Sequence, residues 1–320
     1  MKKNVVALIF TVVAGSLLQG CAPSSYKVSA PAVSNIKFHL NDESQQQVSI
    51  TDNRADSEKT FSYGVLKADL ILAETKLDPV DYLKTNTAKE LNARGIKTAF
   101  VESSESDVKL NKLVMRNHRT NAYTPFITFT MLSADIPTKE GNKRIGVFIK
   151  RGKVPVWSFN EIIEPTLNEP LDLLVKEFAA KLNNYLYHAK ASDADVQSLI
   201  AKINNKKQDK KKYMDVYQLG FSNNPKAIPA IYDLTKSDDE YIRMAAISSL
   251  GTLQAQEHFD YLKSLTVKAD TWTDRAMALK AIGDLNTDGA RQFLSQHKAS
   301  LESEKDKEKN WSSEIINLYL

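Results

Sequence analysis

The chain is poor in cysteine and glycine, and the motifs of the common catalytic sites are missing from it. Cys21 is the only cysteine among 320 residues, and glycine occurs 11 times. The sequence has no glycine-rich phosphate loop, no HExxH zinc motif and no GxSxG nucleophile elbow. The histidines show no spacing typical of metal ligands; they are His39, His118, His188, His258 and His297. We therefore predict no metal, no cofactor and no catalytic residue.

A strong charge of either sign is also missing. The formal net charge is +4, charged residues make up 26% of the chain, and hydrophobic residues make up 42%. These values are typical of a globular protein with a packed core. A nucleic-acid-binding chain carries a basic surplus that this chain lacks. We therefore expect no nucleic-acid partner.

The apolar run near the start of the chain is too short to cross a membrane. Lys2 and Lys3 precede an uncharged run of 14 residues, Val5 to Leu18, whereas a spanning helix needs about 20. A short apolar run behind a basic start is typical of a cleaved signal peptide. An uncleaved anchor helix is the alternative.

The residues at the end of this run resemble a processing motif. Leu17-Leu18-Gln19-Gly20-Cys21 is similar to the lipobox of bacterial lipoproteins. The resemblance implies a signal peptide over residues 1–20 and lipid chains such as palmitate on Cys21, which would hold the protein on a membrane. Because Ala22 stands where Asp would retain the protein, the resemblance implies the outer membrane, with the protein facing the periplasm. Residues 21–35 contain two prolines and no apolar period, which predicts a flexible tether.

Residues 36–190 predict an α+β domain, an antiparallel sheet with packed helices. Hydrophobic residues alternate from Ile127 to Met131 and from Ile145 to Ile149, which is typical of strands. Asp78 and Pro79 fit the start of a helix, and an apolar stripe from about Pro170 predicts a longer helix. The order of strands, helix, meander and helix favours the α+β class.

Basic residues cluster around the end of the last strand of this meander. Arg151-Gly152-Lys153 predicts a hairpin turn into a further strand over Val154 to Phe159. We interpret the cluster as a solvated sheet edge, with contact to phosphates of lipid or lipopolysaccharide as the alternative. Its members are Lys143, Arg144, Lys150, Arg151 and Lys153.

Three short motifs carry a second resemblance. Asp52-Asn53-Arg54 follows an early strand, Glu90-Leu91-Asn92-Ala93-Arg94-Gly95 ends the first helix, and Asp107-Val108-Lys109-Leu110 opens the meander. With the order of elements, they resemble the YajG-like outer-membrane lipoproteins over about residues 36–188. The resemblance implies a location and a fold more than an activity.

Residues 191–320 lose the strand alternation and contain an internal repeat. Ile242 to Leu253 aligns with Asp274 to Leu285 at a period of 32 residues. Alanines at shared positions let helices approach closely, aliphatic residues fill a core, and we expect each glycine to end a helix in the left-handed conformation. The matched pairs are Arg243 with Arg275, Ala246 with Ala278, Leu250 with Ile282, and Gly251 with Gly283.

The repeated segment resembles HEAT repeats of the phycobilisome-lyase type, over about residues 213–300. The resemblance implies that residues 191–320 form an all-α, HEAT-like solenoid with a protein partner on its surface. An ordinary helical bundle is the alternative. The lysine run from Lys206 to Lys212 favours a solvated segment, with anionic lipid head groups as the alternative contact.

Three functions remain open at this point. We favour a non-enzymatic envelope adaptor that is lipid-anchored through Cys21 and binds a protein on its repeats. The alternative is a ligand-binding or lipid-binding accessory protein of envelope biogenesis or transport. A cell-wall enzyme would need Glu161 and Glu164 as a carboxylate pair, for which a solvated surface pair is the favoured interpretation. It would also use a sugar platform, whereas we expect the tryptophans to lie in the core or an interface: Trp157, Trp272 and Trp311.

Overall fold

The computed structural model describes residues 25–40, 45–65, 68–121, 123–153, 158, 160–205, 209–301 and 306–320. The strands are β1 (Ser25–Lys27), β2 (Phe38–His39), β3 (Gln46–Asp52), β4 (Ser62–Gly64), β5 (Asp69–Leu72), β6 (Thr75–Lys76), β7 (Thr98–Phe100), β8 (Asp107–His118), β9 (Phe126–Thr138), β10 (Gly141–Lys153) and β11 (Lys190–Ala191). The helices are α1 (Pro79–Ala93), α2 (Asn160–Ile163), α3 (Glu169–Leu182), α4 (Asp193–Asn205), α5 (Lys212–Gly220), α6 (Ile228–Leu234), α7 (Glu240–Thr252), α8 (Phe259–Lys268), α9 (Trp272–Asp284), α10 (Asp288–Leu301) and α11 (Lys307–Ile316).

The predicted signal peptide and Cys21 fall outside the described residues. Within them, no helix has the length and apolar character that crossing a bilayer requires. The α+β region followed by an all-α region is the predicted fold class, and it is confirmed. We call residues 25–191 the sheet half and residues 193–320 the repeat half.

Within the described residues, the main sheet has six strands and a mixed topology. β8, β9 and β10 form the antiparallel meander, whereas β3, β4 and β7 add parallel pairings beyond β8. Helix α1 lies between β3 and β7 in the chain, so it returns the backbone to the same end of the sheet, as a parallel pairing requires. Phe129 and Thr130 point to opposite faces of β9 and are 1% and 0% exposed. Both faces of the sheet are therefore covered.

The β9–β10 hairpin turns at Lys139 and Glu140, and the turn predicted at Arg151 to Lys153 is wrong. Those three residues continue β10 and pair with Phe126 to Thr128 of β9. The reason is that Arg151 is buried, at 5% exposure, against a carboxylate of the following helix. The strand predicted over Val154 to Phe159 lies outside the described residues except for Ser158.

The two predicted helices of the sheet half are confirmed. Asp78 caps α1, because its Oδ1 accepts hydrogen bonds from Val80 N at 2.9 Å and Asp81 N at 2.8 Å. Gly95 ends this helix with φ of +91°. Helix α3 continues from α2 through wider turns at Glu164–Asn168 and runs on through Asn183–Tyr187. Helices α1 and α3 pack together, and α3 lies on β9 and β10.

The described part of the predicted tether is packed on the sheet half. β1 pairs with β5 in parallel, and Tyr26 is 4% exposed. Ser34 N donates to Glu90 Oε2 at 2.9 Å, and the Ser34 hydroxyl donates to Glu90 Oε1. Sequence pattern alone missed this because the partners of the segment are distant in the chain. Residues 25–35 therefore differ from the flexible tether that we expected.

The repeat half consists of helix pairs. Arg243 and Arg275 make equivalent contacts in successive pairs, which confirms the sequence repeat, and we call these two residues the arginine ladder. Arg243 Nη1 and Arg275 Nη1 each donate to the two carbonyl groups five and six residues earlier, at 2.8–3.3 Å. Each arginine also reaches the next pair: Arg243 Nε lies 3.0 Å from Asp274 Oδ2, and Arg275 Nη2 lies 3.1 Å from Glu308 Oε2. One side chain thus closes the turn before its own helix and links that helix to the next.

The repeated glycines permit close helix packing and do not end helices in the left-handed conformation, so that expectation was wrong. A Cβ on Gly251 would lie 2.6 Å from Ala281 Cα, and one on Gly283 would lie 2.3 Å from the Tyr319 ring. The left-handed residues lie three positions after Gly220, Gly251 and Gly283. They are Asn223, Gln254 and Asn286, with φ of +54°, +57° and +54°.

The junction between the halves is buried. β11 pairs with β2, and Ala191 N donates to Ser222 O of the repeat half at 3.0 Å. Ala189 and Ala191 are 2% and 0% exposed. The domain boundary between residues 190 and 191 stays a prediction, and the backbone on either side of it is held in contact with both halves.

Candidate functional site

The outer edge of β10 is covered by side chains. Among the residues that the structure describes, β10 is the last strand in the sheet order, so alternate backbone groups along it have no strand partner there. Asn286 Nδ2 donates to Arg144 O at 2.6 Å, and Arg144 N donates back to Asn286 Oδ1 at 3.4 Å. The carbonyl group of Gly146 accepts a further bond from Lys181, and that of Gly152 accepts one from Tyr241. This edge is therefore closed to strand addition at these positions.

A buried quartet of charges joins the two halves behind this edge. Glu177 and Lys181 of α3 meet Lys280 and Asp284 of α9, and none of the four side chains is more than 3% exposed. Lys181 Nζ lies 2.6 Å from Asp284 Oδ1, and Lys280 Nζ lies 2.7 Å from Glu177 Oε1. Two positive and two negative charges balance, which is what makes their burial tolerable.

The pKa values of the two lysines in the quartet shift in opposite directions, and burial lowers the pKa of Lys181. Burial by itself lowers the pKa of Lys280, but the carboxylates of Asp284 and Glu177 outweigh burial, and the pKa is raised. The Tyr319 hydroxyl donates to Asp284 Oδ1 at 2.7 Å, and burial followed by this carboxylate raises the pKa of Tyr319 above 10. The Tyr319 ring fits here because two glycines face it, Gly146 and Gly283.

The predicted basic cluster lies at the contact between the halves, so its interpretation as a solvated edge is wrong for three members. Arg151 packs on the rings of both Tyr213 and Tyr241, at 4.2 and 4.3 Å from their centroids, and its Nε donates to Glu169 Oε2 at 3.0 Å. The other two pair with acidic residues: Lys150 with Glu240 at 2.8 Å, and Arg144 with Asp135 at 2.6 Å. Their charges meet carboxylates of the chain itself, which leaves them poorly placed to bind phosphates.

Two of the three tryptophans pack on the sheet. The Phe129 ring centroid lies 5.8 Å from that of Trp272 and 4.9 Å from that of Trp311. The expectation that these tryptophans lie in a core or interface is confirmed, and Trp157 falls outside the described residues. Nearby, Ser133 Oγ donates to Leu318 O at 2.8 Å. Helices α9 and α11 therefore turn one side toward the sheet half of the same chain.

A groove of about 890 Å³ opens where the tip of the β9–β10 hairpin approaches the repeat half. Its walls combine amide side chains, phenol rings and a few charges of both signs. Burial raises the pKa of Tyr187 to about 12, so this phenol stays a neutral hydrogen-bond donor. Residues of both halves line the groove: Glu105, Lys139, Lys143, Tyr185, Tyr187, His188, Gln254, Gln256 and Asn286.

A row of half-buried aromatic rings runs along helices α6, α8 and α10. Tyr232 stacks on His258 at 4.4 Å between ring centroids, and Phe259 meets Phe293 edge-on at 6.3 Å. Lysines cover two of the rings, with Lys236 Nζ 4.1 Å from the Tyr232 centroid and Lys263 Nζ 4.6 Å from the Phe259 centroid. We call this surface the aromatic row; its rings are Tyr232, His258, Phe259, Tyr261, Phe293 and His297.

Glu161 and Glu164 are the carboxylates considered for an enzyme, and Glu164 is engaged by other side chains. Glu164 binds Asn168 and Lys211, and its pKa is lowered by the Asn168 hydrogen bond and then by Lys211, which opposes a role as general acid. Glu161 is half-buried. Among the described residues, no group of three or more His, Cys, Asp or Glu residues could hold a metal ion.

Sequence reasoning missed the quartet and the Arg151 site. A local signal existed, because Glu177 and Lys181 stand four residues apart in an apolar helix, as do Lys280 and Asp284. Such pairs are common on exposed helix faces, so spacing alone does not reveal burial. The two pairs are about 100 residues apart in the chain, and only the tertiary structure shows that they are in contact.

A comparison with protein families shows which known repeat the repeat half resembles. The family model for HEAT repeats matches residues 196–283, from α4 to the end of α9. No curated protein matches the chain. The match begins earlier than the resemblance read over residues 213–300 and includes the segment around the lysine run. Residues 196–283 of the repeat half are therefore similar to HEAT repeats.

Proposed function

We propose that the protein is a lipid-anchored adaptor of the bacterial envelope, held through Cys21 on the outer membrane and facing the periplasm. It binds a protein partner and catalyses no reaction. The observation that carries the proposal is the HEAT repeat match over residues 196–283, because HEAT repeats generally present extended surfaces to other proteins. The lipobox-like motif before Cys21 supports the anchor and the location. We also propose that the sheet half is a YajG-like domain.

The aromatic row is the surface that we assign to the partner. Helices α9 and α11 pack on the sheet half, so part of the repeat surface is already used within the chain. The row lies on α6, α8 and α10, the first helices of the successive pairs, and it combines half-buried rings with flanking lysines. Aromatic side chains at the centre of an interface contribute more binding energy than most residue types. Exposed acidic side chains border the row, at Asp233 and Asp260.

The anchor is tested by replacing its cysteine. We expect Cys21→Ser to abolish metabolic labelling with palmitate and to release the protein from membranes, because the only thiol of the chain is removed. The wild-type protein is the reference in both measurements. Equal palmitate labelling of the two proteins would overturn the lipid anchor.

The partner surface is tested by crosslinking in intact cells, followed by mass spectrometry of the captured proteins. We expect the double variant Asp233→Arg/Asp260→Arg to lose the partner while remaining folded, because both side chains are more than 80% exposed. Glu140→Arg at the hairpin tip is the matched control, since it reverses an exposed charge far from the row in sequence. If the double variant captures the same partner at the wild-type level, the aromatic row is not the binding surface.

A second candidate function is favoured by the groove. A cavity of about 890 Å³ lined by both halves is large enough for a small ligand or an acyl chain with its head group. In this reading the protein carries a ligand for envelope biogenesis or transport. Native mass spectrometry of protein released from its own membranes would detect a bound molecule. The adaptor proposal predicts no stoichiometric ligand, and a ligand lost in Lys139→Glu would favour the accessory function.

A further inference from the structure

The start of the described chain is fixed to the sheet half. Tyr26 and Val28 are buried, and Val28 N donates to Ile71 O at 2.9 Å. Ser29 N donates to Asn168 Oδ1 at 3.0 Å, in the turn that leads into α3. Because this segment pairs in a sheet and hydrogen-bonds to the turn before α3, it is held in place from Ser25 onward. The position of Ser25 is therefore set by the sheet half.

The distance from Cys21 to this fixed point is short. Four residue steps separate Cys21 from Ser25. A fully extended chain covers at most about 3.6 Å per residue, so the two residues lie within about 14 Å of each other. A flexible tether of 15 residues would have allowed about 50 Å. A lipid group on Cys21 would therefore hold β1 close to the bilayer surface.

We propose that the small sheet of β1, β5 and β6 faces the bilayer. The proposal rests on the lipid anchor proposed above and names the surface that this anchor brings to the membrane. Tyr26 and Leu70 fill the inner side of the small sheet, and the opposite side is exposed. We call this opposite side the small-sheet face; its polar side chains are Ser25, Lys27, Asp69 and Lys76, with Glu74 in the adjoining turn.

The charges of the small-sheet face cancel. Lys27 pairs with Glu74 at 2.7 Å, and Lys76 pairs with Asp69 at 2.8 Å, with all four side chains more than half exposed. Two such pairs give no net attraction to anionic lipids, which need an excess of Lys or Arg. The lipid anchor, rather than charge, therefore determines the orientation, and it should be the same on neutral and anionic bilayers.

The groove and the cluster under the small sheet lie at opposite ends of β9. Phe126, at the start of β9, packs in the cluster under the small sheet, whereas Pro137 and Thr138 at its other end line the groove. Twelve residue steps at about 3.4 Å give roughly 40 Å between these ends. Helix α3 gives a second measure, because Leu171 belongs to the cluster under the small sheet and Tyr187 lines the groove. Sixteen steps at about 1.5 Å give roughly 24 Å.

The experiment measures the depth of two fluorescent labels on the lipidated protein in vesicles of neutral phosphatidylcholine. Lipidation consumes the only native thiol, so Lys76→Cys and Glu140→Cys each carry a single label, one on the small-sheet face and one at the hairpin tip. We expect nitroxides on the lipid head groups to quench the label at residue 76 and to leave the label at residue 140 bright. In the Glu140→Cys protein, which keeps all four charges of the small-sheet face, adding anionic lipid should leave the label bright.

A variant with a 12-residue Gly/Ser insertion directly after Ala22 is the matched control, because it keeps the anchor and lengthens only the connection. We expect the insertion to reduce quenching at residue 76. Equal quenching of the two labels in the uninserted protein, or stronger quenching at residue 140, would overturn the proposed orientation. If neither labelled protein floats with the vesicles, the anchor itself fails, and the orientation falls with it.

Discussion

The two halves of this protein are stabilised by different kinds of contact. In the repeat half, the arginine ladder, the packed glycines and the left-handed residues recur every 31 or 32 positions and join neighbouring helix pairs. Where the halves meet, polar contacts such as that between Lys181 and Asp284 occur once and join distant segments. The contacts of the repeat half are therefore one set that recurs in successive helix pairs, whereas those where the halves meet are each different.

The place where these two kinds of contact meet is unusually polar for an interior. The charge quartet, the Arg151 site and the bonds to the β10 edge all lie between the halves. Polar contacts of this kind fix one relative position, because a slip of one residue would leave buried charges without partners. The predictions below test whether the halves behave as one cooperative structure or as a solenoid attached to an independent domain.

The largest effect is expected from breaking the charge quartet. Asp284→Asn removes one negative charge from a site where two lysines are buried, and we expect it to lower the free energy of unfolding by about 3–5 kcal/mol. Urea unfolding followed by circular dichroism and by tryptophan fluorescence should show one shifted transition, because the quartet belongs to both halves. Asp288→Asn, at a side chain 99% exposed, should change stability by less than about 0.5 kcal/mol. Two separate transitions would show that the halves unfold independently.

A core truncation within the repeats should have a comparable or smaller effect. Leu250 is fully buried, so Leu250→Ala removes packed methyl groups and should lower the free energy of unfolding by about 2–5 kcal/mol. Hydrogen exchange should accelerate in α5, α7 and α9 more than in the sheet half, because repeats contact mainly their neighbours. Val267→Ala, at a residue 73% exposed, is the control and should be close to neutral. Uniform acceleration across both halves would contradict the local character of the repeats.

The difference between the two halves also explains which features could be predicted from the sequence and which could not. The α+β meander, the capped helix at Asp78 and the repeat at Arg243 and Arg275 depend on local spacing, and all three are confirmed. The turn at Arg151 was wrong because a basic, glycine-containing triplet is turn-like unless a distant carboxylate buries it. The groove and the quartet depend on which surfaces meet across the fold, and no local pattern specifies that.

Smaller effects are expected from two glycines of the repeat half, whose replacement by alanine should change the stability in opposite directions. Gly251→Ala places a Cβ 2.6 Å from Ala281 Cα of the neighbouring helix, so the helices must separate, and we expect a loss of about 1–3 kcal/mol. Gly289→Ala lies in α10 with nothing within 4 Å of the added Cβ, and we expect a gain of about 0.5–1 kcal/mol from helix propensity. Thermal unfolding of the two variants measures both changes. Stabilisation by both substitutions would show that the repeats tolerate wider helix spacing than the structure indicates.

The smallest effect tests how firmly the N-terminal segment is fixed to the sheet half, and it depends on pH. Burial opposes ionisation of Glu90, but Arg94 and then the Ser34 hydrogen bonds outweigh burial, so the pKa of Glu90 is lowered from its usual value of 4.5. A carboxyl whose pKa is lower in the folded state stabilises the fold above its unfolded pKa, and this contribution is lost as pH falls through the folded pKa.

Ser34→Ala removes the hydroxyl donor, and we expect a loss of about 1 kcal/mol at pH 7. Because the pKa of Glu90 then rises toward its usual value, the stability difference between wild type and variant should be constant above about pH 5 and shrink below about pH 4. Urea unfolding of both proteins from pH 7 to pH 3 measures this difference, and a difference that stays constant to pH 3 would show that Ser34 does not act through the Glu90 charge.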